Sequence, residues 1–160
     1  MRELRATDLP ALILILHQCE AFTEVEIACA LELLEIMIND PLQQDYRVAV
    51  ANGGDEVQGY ILYGPVPMTE GTYDIYWIAV DPDCQGQGIG RQLMRHAERQ
   101  ARAAGGRMIC LETSSQGHYQ RTREFYRQAG YCEENRIRDF YRPGDDRLTY
   151  VKRFTTMKDS

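Results

Sequence analysis

A chain of 160 residues, 44% of them apolar, can bury one full core and sits near the usual size of a single domain, so one domain over 1–160 is expected. No apolar stretch approaches the roughly 20 residues a bilayer demands; the run Leu9 to Leu16 is interrupted by Pro10 and followed by His17 and Gln18, which excludes a membrane span. The net charge of -6 conceals an asymmetry: residues 1–80 hold three arginines against thirteen acids, a net of -10, whereas residues 81–160 have a net of +4, without the basic stripe and interleaved aromatics of a nucleic-acid binder.

In chain order, Arg2, Leu4 and Ala6 alternate weakly and suggest a short first strand. From Ile13 through Ile38 the apolar residues fall at helical intervals, as in Ile27, Leu31, Leu34 and Ile38, giving two helices divided near Ala21 to Thr23. Thr23 followed by Glu26 has the form of a capping box, and Asp40-Pro41 closes the second helix. Tyr46 to Ala51 and Val57 to Tyr63 read as a hairpin around Asn52-Gly53-Gly54-Asp55, and Thr72 to Val80 as a third antiparallel strand. Beyond Gly90, the residues Ile89, Leu93, Met94, Ala97 and Ala101 form one stripe of an amphipathic helix whose outer face carries Arg91, Arg95, Arg99 and Arg102, and Gly105-Gly106 stops it. Met108 to Thr113 is a short strand, expected to lie parallel to its predecessor because a helix separates the two. A helix runs down to Gly130, and Tyr131 to Tyr141 with Arg147 to Phe154 form a closing hairpin joined by Pro143-Gly144-Asp145-Asp146.

The five cysteines are odd in number and widely spaced, and the three histidines are scattered, so neither a disulfide framework nor a metal site is expected. With no basic start and small-residue cleavage site at the N-terminus, the cytoplasm is the expected compartment.

The chemistry concentrates in Ile78-Ala79-Val80-Asp81-Pro82-Asp83-Cys84-Gln85-Gly86-Gln87-Gly88-Ile89-Gly90-Arg91, a strand feeding a glycine-rich turn that opens a helix. Glycines let the backbone turn tightly and present several N-H groups to one ligand, and a helix N-terminus adds favourable partial charge, so a diphosphate is the natural guest. A nucleotide P-loop would need Gly-Lys-Ser/Thr at its end, where Gly90-Arg91-Gln92 stands. A dinucleotide fingerprint would need glycine at Arg91 and would open the first strand-helix unit, not follow an antiparallel meander.

A third pattern, Gln/Arg-x-x-Gly-x-Gly/Ala, is matched by Gln85-Gly86-Gln87-Gly88-Ile89-Gly90, and it resembles the coenzyme A pyrophosphate loop of the GNAT superfamily of N-acetyltransferases. Ile78 to Pro82 resembles the central strand of that family, and Phe125-Tyr126-Arg127-Gln128-Ala129-Gly130-Tyr131 its later helix end, so the resemblance covers residues 46–154. It implies a mixed α+β fold: a mostly antiparallel sheet, flanked by helices, with a central parallel strand pair splayed for coenzyme A. It also implies that Ile78, Ala79 and Val80 offer backbone to the pantetheine arm, that Gln85, Gly86, Gln87, Gly88, Ile89, Gly90 and Arg91 hold the diphosphate, and that Arg123 and Arg127 reach the nucleotide phosphate or the arm.

Under this resemblance the chain transfers acetyl from acetyl-CoA directly onto a primary amine in a ternary complex. Tyr126 is the expected general acid toward the coenzyme thiolate, since a phenol of pKa about 10 can usefully protonate a thiol's conjugate base. Asp74 is the expected general base, with Glu112 its competitor, and Cys84 is expected to be a loop residue although a thiol beside a helix start can be reactive. The acceptor is expected to be a small-molecule or protein amine, cationic because the acidic half, including Glu20, Glu24, Glu26 and Asp74, would attract it. No nucleic acid or membrane partner is expected, and the state is monomer or homodimer. The alternatives are a catalytically silent module that binds acyl-CoA and, further off, a nucleotide-binding oxidoreductase.

Overall fold

The structure, a computed structural model, describes residues 1–154. Seven strands form a mostly antiparallel sheet in the order β1-β2-β3-β4-β5-β7-β6, with four α-helices among the described residues. The chain divides into two compact units: residues 1–64 with 76–99, and residues 65–75 with 100–154, so that the fourth strand and the third helix have residues in each.

In the first unit, β1 (Arg2–Glu3) pairs antiparallel with β2 (Arg47–Gly53). It is pinned by the Arg2 guanidinium, which donates two 2.7 Å hydrogen bonds to buried Asp8 and holds that carboxyl below its usual range. Helix α1 (Leu9–Gln18) starts earlier than Ile13, because Pro10 falls in the first turn, where a missing N-H breaks no bond. Helix α2 (Glu24–Asn39) opens on the expected capping box: the Thr23 hydroxyl accepts from the Glu26 N-H at 3.3 Å and the Glu26 carboxylate accepts from the Thr23 N-H at 2.8 Å. Such a cap stabilises by about 1 kcal/mol. The two helices bury Leu12, Ile15, Leu16, Ile27, Ala30 and Leu34 against Val50, Tyr60 and Leu62 of β2 and β3 (Glu56–Pro65) and Ala79 of β4 (Thr72–Val80). Helix α3 (Ile89–Ala103) buries Leu93, Met94, Ala97 and Ala101 and leaves Arg91, Arg95, Arg99 and Arg102 exposed, as the stripe requires.

In the second unit, β5 (Met108–Ser114) runs parallel to the first half of β4. A 3₁₀ turn at Gly117–Tyr119 leads into α4 (Gln120–Gln128), and β6 (Cys132–Arg142) and β7 (Asp145–Arg153) close the chain, β7 lying between β5 and β6. The final turn is shorter than expected. Asp145 and Asp146 belong to β7 because both are bonded to the end of β5: the Ser114 hydroxyl donates to buried Asp145 at 2.5 Å, and the Asp146 N-H donates to Ser115 Oγ at 2.8 Å. No helix is long and apolar enough to cross a membrane among the described residues.

Candidate functional site

The first unit supplies the glycine turn. Asp81, at the end of β4, donates its N-H to Gln58 on β3 at 2.9 Å, so by strand alternation Ile78 and Val80 aim their peptide groups at the opposite edge. The parallel ladder with β5 covers Thr72 to Ile75, and from Tyr76 to Val80 that edge has no strand partner among the described residues. The Val80 carbonyl is already occupied there, by the Gln85 side-chain amide at 3.3 Å and the Cys19 thiol at 3.5 Å.

Asp81 then caps a single 3₁₀ turn at Pro82–Cys84, its carboxylate accepting from the Asp83 N-H at 2.9 Å. Gly86 and Gly88 follow with φ of +77° and +86°, and a Cβ at either would meet nothing within 4 Å. Their glycines therefore serve the left-handed backbone and not a lack of room. The result is a row of six consecutive backbone N-H groups, Gly86 to Arg91, with no acceptor among the described residues. No acid stands in the first turn of α3 to compete for them. Gln87 bends back onto Asp83 at 3.1 Å, so like Gln85 its side chain shapes the loop. Cys84 is an unpromising nucleophile, because partial desolvation and the carboxylates of Asp81, Asp83 and Glu56 push its thiol above the ordinary value.

The second unit holds the three acid-base candidates on two faces of the sheet. Asp74 pairs with Cys110 across β4 and β5, and Glu112 lies two residues further, on the same face. Burial, and then the neighbouring Glu112, lift the Asp74 carboxyl to about 6, a value suited to proton transfer near neutral pH. Glu112 is half-exposed and faces the Arg147 guanidinium at 3.5 Å. Leu111 pairs with Tyr150 on the other face, and Tyr126 packs there, its ring 6.1 Å from Tyr150 and 6.5 Å from Tyr131. Tyr126 is only 6% exposed, and burial raises its phenol so that it stays protonated throughout the physiological range. Its hydroxyl makes no hydrogen bond among the described residues, which leaves the proton available to a ligand.

The two later arginines differ in role. Arg123 donates at 2.8 Å to the carbonyls of both Ser114 and Gln116, tying α4 to the end of β5. Arg127 is half-exposed, 3.5 Å from Glu124 and above the Tyr150 ring at 5.8 Å. Of the acids expected to attract an amine, Glu26 is engaged in the capping box and Glu24 lies 3.8 Å from His17. Sequence reasoning missed Arg147 and Phe140, because only strand register brings Arg147 beside Glu112 and only a bulge brings Phe140 beneath it. No group of three metal-ligating side chains occurs among the described residues.

Known proteins share this fold. A crystal structure of a protein assigned to the GNAT family of acetyltransferases from Desulfovibrio desulfuricans superposes with a TM-score of 0.91 at 37% identity, covering 96% of each chain. An aminoglycoside 6'-N-acetyltransferase complexed with coenzyme A shares the fold at 17% identity and a TM-score of 0.77, covering 99% of this chain and 98% of that one. A protein described as IAA acetyltransferase, from Azospirillum brasilense, is 42% identical over 92 residues, 56% of each chain, so this chain matches little more than half the length of that relative. The family described as Acetyltransferase (GNAT) matches residues 13–131. On the family match over residues 13–131 and the likeness to the Desulfovibrio desulfuricans structure over 96% of each chain, the chain belongs to the GNAT acetyltransferase family.

Proposed function

We propose that this acetyltransferase, acting as a single catalytic domain, moves acetyl from acetyl-CoA directly onto a primary amine within a ternary complex. The observation that carries the reading is the row of unengaged N-H groups from Gly86 to Arg91 at the start of α3, a cradle suited to the coenzyme diphosphate. Ile78 and the Val80 N-H offer backbone partners to the pantetheine arm, and half-exposed Arg127 remains available to a phosphate, whereas Arg123 is held by the β5 end. The coenzyme, when bound, supplies the activated thioester.

The remaining chemistry belongs to the protein. The amine arrives as an ammonium and must lose a proton before attack. Asp74, half-buried with a carboxyl near 6, accepts that proton directly or through water. Tyr126, held protonated by burial, donates to the departing thiolate. The acceptor is cationic at its reactive end, and Asp74 with Glu112 supplies the local negative charge that draws it.

Calorimetric titration with coenzyme A and with NAD, paired with a thiol-release assay over a panel of primary amines, tests the reading. Saturable coenzyme A binding, no NAD binding and amine-dependent thiol release are expected. Coenzyme binding without transfer to any amine would instead indicate a silent module, and NAD binding an oxidoreductase.

A further inference from the structure

Opposite Arg147, strand β6 departs from regular pairing. Ile137 pairs with Arg147 and Arg142 with Asp145, so residues 138–141 of β6 stand against Asp146 alone. The bulge is built firmly and not left loose. Asp139 adopts a φ of +53°, unusual for a residue with a side chain, and its carboxylate accepts from the Gly144 N-H at 2.6 Å. The Asp146 carboxylate accepts from the Asp139 N-H at 3.0 Å and from the Arg136 guanidinium at 3.1 Å. This scaffold holds Phe140 and Tyr141 edge to face, 5.1 Å apart, at 48% and 49% exposure.

The Arg147 guanidinium lies 4.3 Å above the Phe140 ring. Arg147 pairs with Ser114 across β5 and β7, and Ser114 shares a face with Glu112 and Cys110, the partner of Asp74. Acids and arginine therefore stand together on one face of the sheet. Arg147 is poorly satisfied as the protein stands: its Nε is buried without a hydrogen bond, its guanidinium makes none among the described residues, and its nearest carboxylate oxygen is 3.5 Å away. A guanidinium has five donors in a planar fork that a ligand carboxylate can engage in bidentate fashion.

We propose that Arg147 anchors a carboxylate on the acceptor, so that the preferred acceptors are amino acids with apolar side chains. The ammonium faces Asp74 and Glu112, the carboxylate meets Arg147, and the side chain lies on Phe140 and Tyr141. Arg147 thereby sets specificity without touching the transferred acetyl group. The inference rests on the amine-acetyltransferase reading.

Matched acceptor pairs test it in the thiol-release assay: phenylalanine against phenethylamine, and leucine against isoamylamine. The wild-type protein is expected to favour each amino acid in kcat/KM by at least about tenfold, the scale of one lost charged hydrogen-bonded contact. Arg147→Gln is expected to raise KM for the amino acids by a similar factor while kcat, the amine kinetics and KM for acetyl-CoA stay within about threefold, with Arg147→Lys recovering part of the preference. Phe140→Ala keeps the charge and removes the ring beneath it, and should lower the same preference if Arg147→Gln fails to fold. A wild-type preference for the decarboxylated amines, or an equal loss on both members of each pair, would overturn the proposal. A rise in KM for acetyl-CoA alone would reassign Arg147 to the coenzyme. If no amine is acetylated although coenzyme A binds, it is the transferase reading that fails. Calorimetry of phenylalanine against the coenzyme-loaded protein then decides the anchor separately: binding weakened by Arg147→Gln supports it, and no binding removes it.

Discussion

The glycine turn of the first unit and the Asp74 face of the second are built by opposite means. The turn offers its ligand backbone: six N-H groups from one contiguous segment, shaped by two left-handed glycines and by side chains that fold back on the loop. The Asp74 face offers side chains from four strands, β4, β5, β6 and β7, set by register and by one bulge. A backbone site tolerates changes of side chain and fails when its φ angles are disturbed. A side-chain site behaves the other way, with each residue holding a distinct task.

The largest effects are expected where that difference meets the reaction. Tyr126→Phe keeps the packed ring and removes the proposed proton donor, and Asp74→Asn keeps the shape and removes the proposed base; each should lower kcat by about 100-fold to 10,000-fold with coenzyme A affinity retained. Wild-type turnover in Tyr126→Phe, where chemistry limits the rate, would return that residue to the core. Asp74→Asn also has a stability signature. The folded carboxyl is raised to about 6, so its favourable contribution holds at low pH and is lost as pH rises through that value. At pH 7 the variant should therefore melt no lower than the wild type, and is expected to melt higher by roughly 2–4 °C per kcal/mol of relieved penalty. The same titration predicts that wild-type kcat/KM falls about tenfold per pH unit below 6, a limb that Asp74→Asn should abolish.

Gly88→Trp comes next. Its Cβ has open space, so the fold should survive, but the left-handed φ and the bulky ring over the cradle should weaken coenzyme A binding by at least about tenfold, as read by calorimetry. Unchanged affinity in the folded variant would dissolve the contrast between the two regions. A smaller effect is expected from Arg123→Ala, which frees the Ser114 and Gln116 carbonyls and should lower stability by about 1–3 kcal/mol in denaturant unfolding while coenzyme affinity stays within about threefold. The smallest is expected from Gln87→Ala, whose side chain bonds the loop and not the ligand: less than about threefold in coenzyme affinity.

Contiguity decides which parts of this protein were legible in its sequence. The two N-terminal helices, the Thr23 capping box, the meander, the glycine turn and the stripe of α3 all follow from residues within one segment, because periodicity, caps and φ preferences act over a few residues. The family followed from the same kind of signal, since a cradle made of backbone must be written in neighbouring glycines. The placement of β7 between β5 and β6, the inclusion of Asp145 and Asp146 in a strand, and the engagement of Arg123 by the β5 end depended on partners about 7 to 31 positions away. Sequence spacing also left Asp74 and Glu112 as competitors; burial of one and the guanidinium beside the other separate their surroundings. The gathering of Asp74, Glu112 and Arg147 on one face was decided by tertiary structure alone, because a side chain's neighbours across a sheet are set by strand order and register, and neither leaves a mark on the residues adjacent to it in the chain.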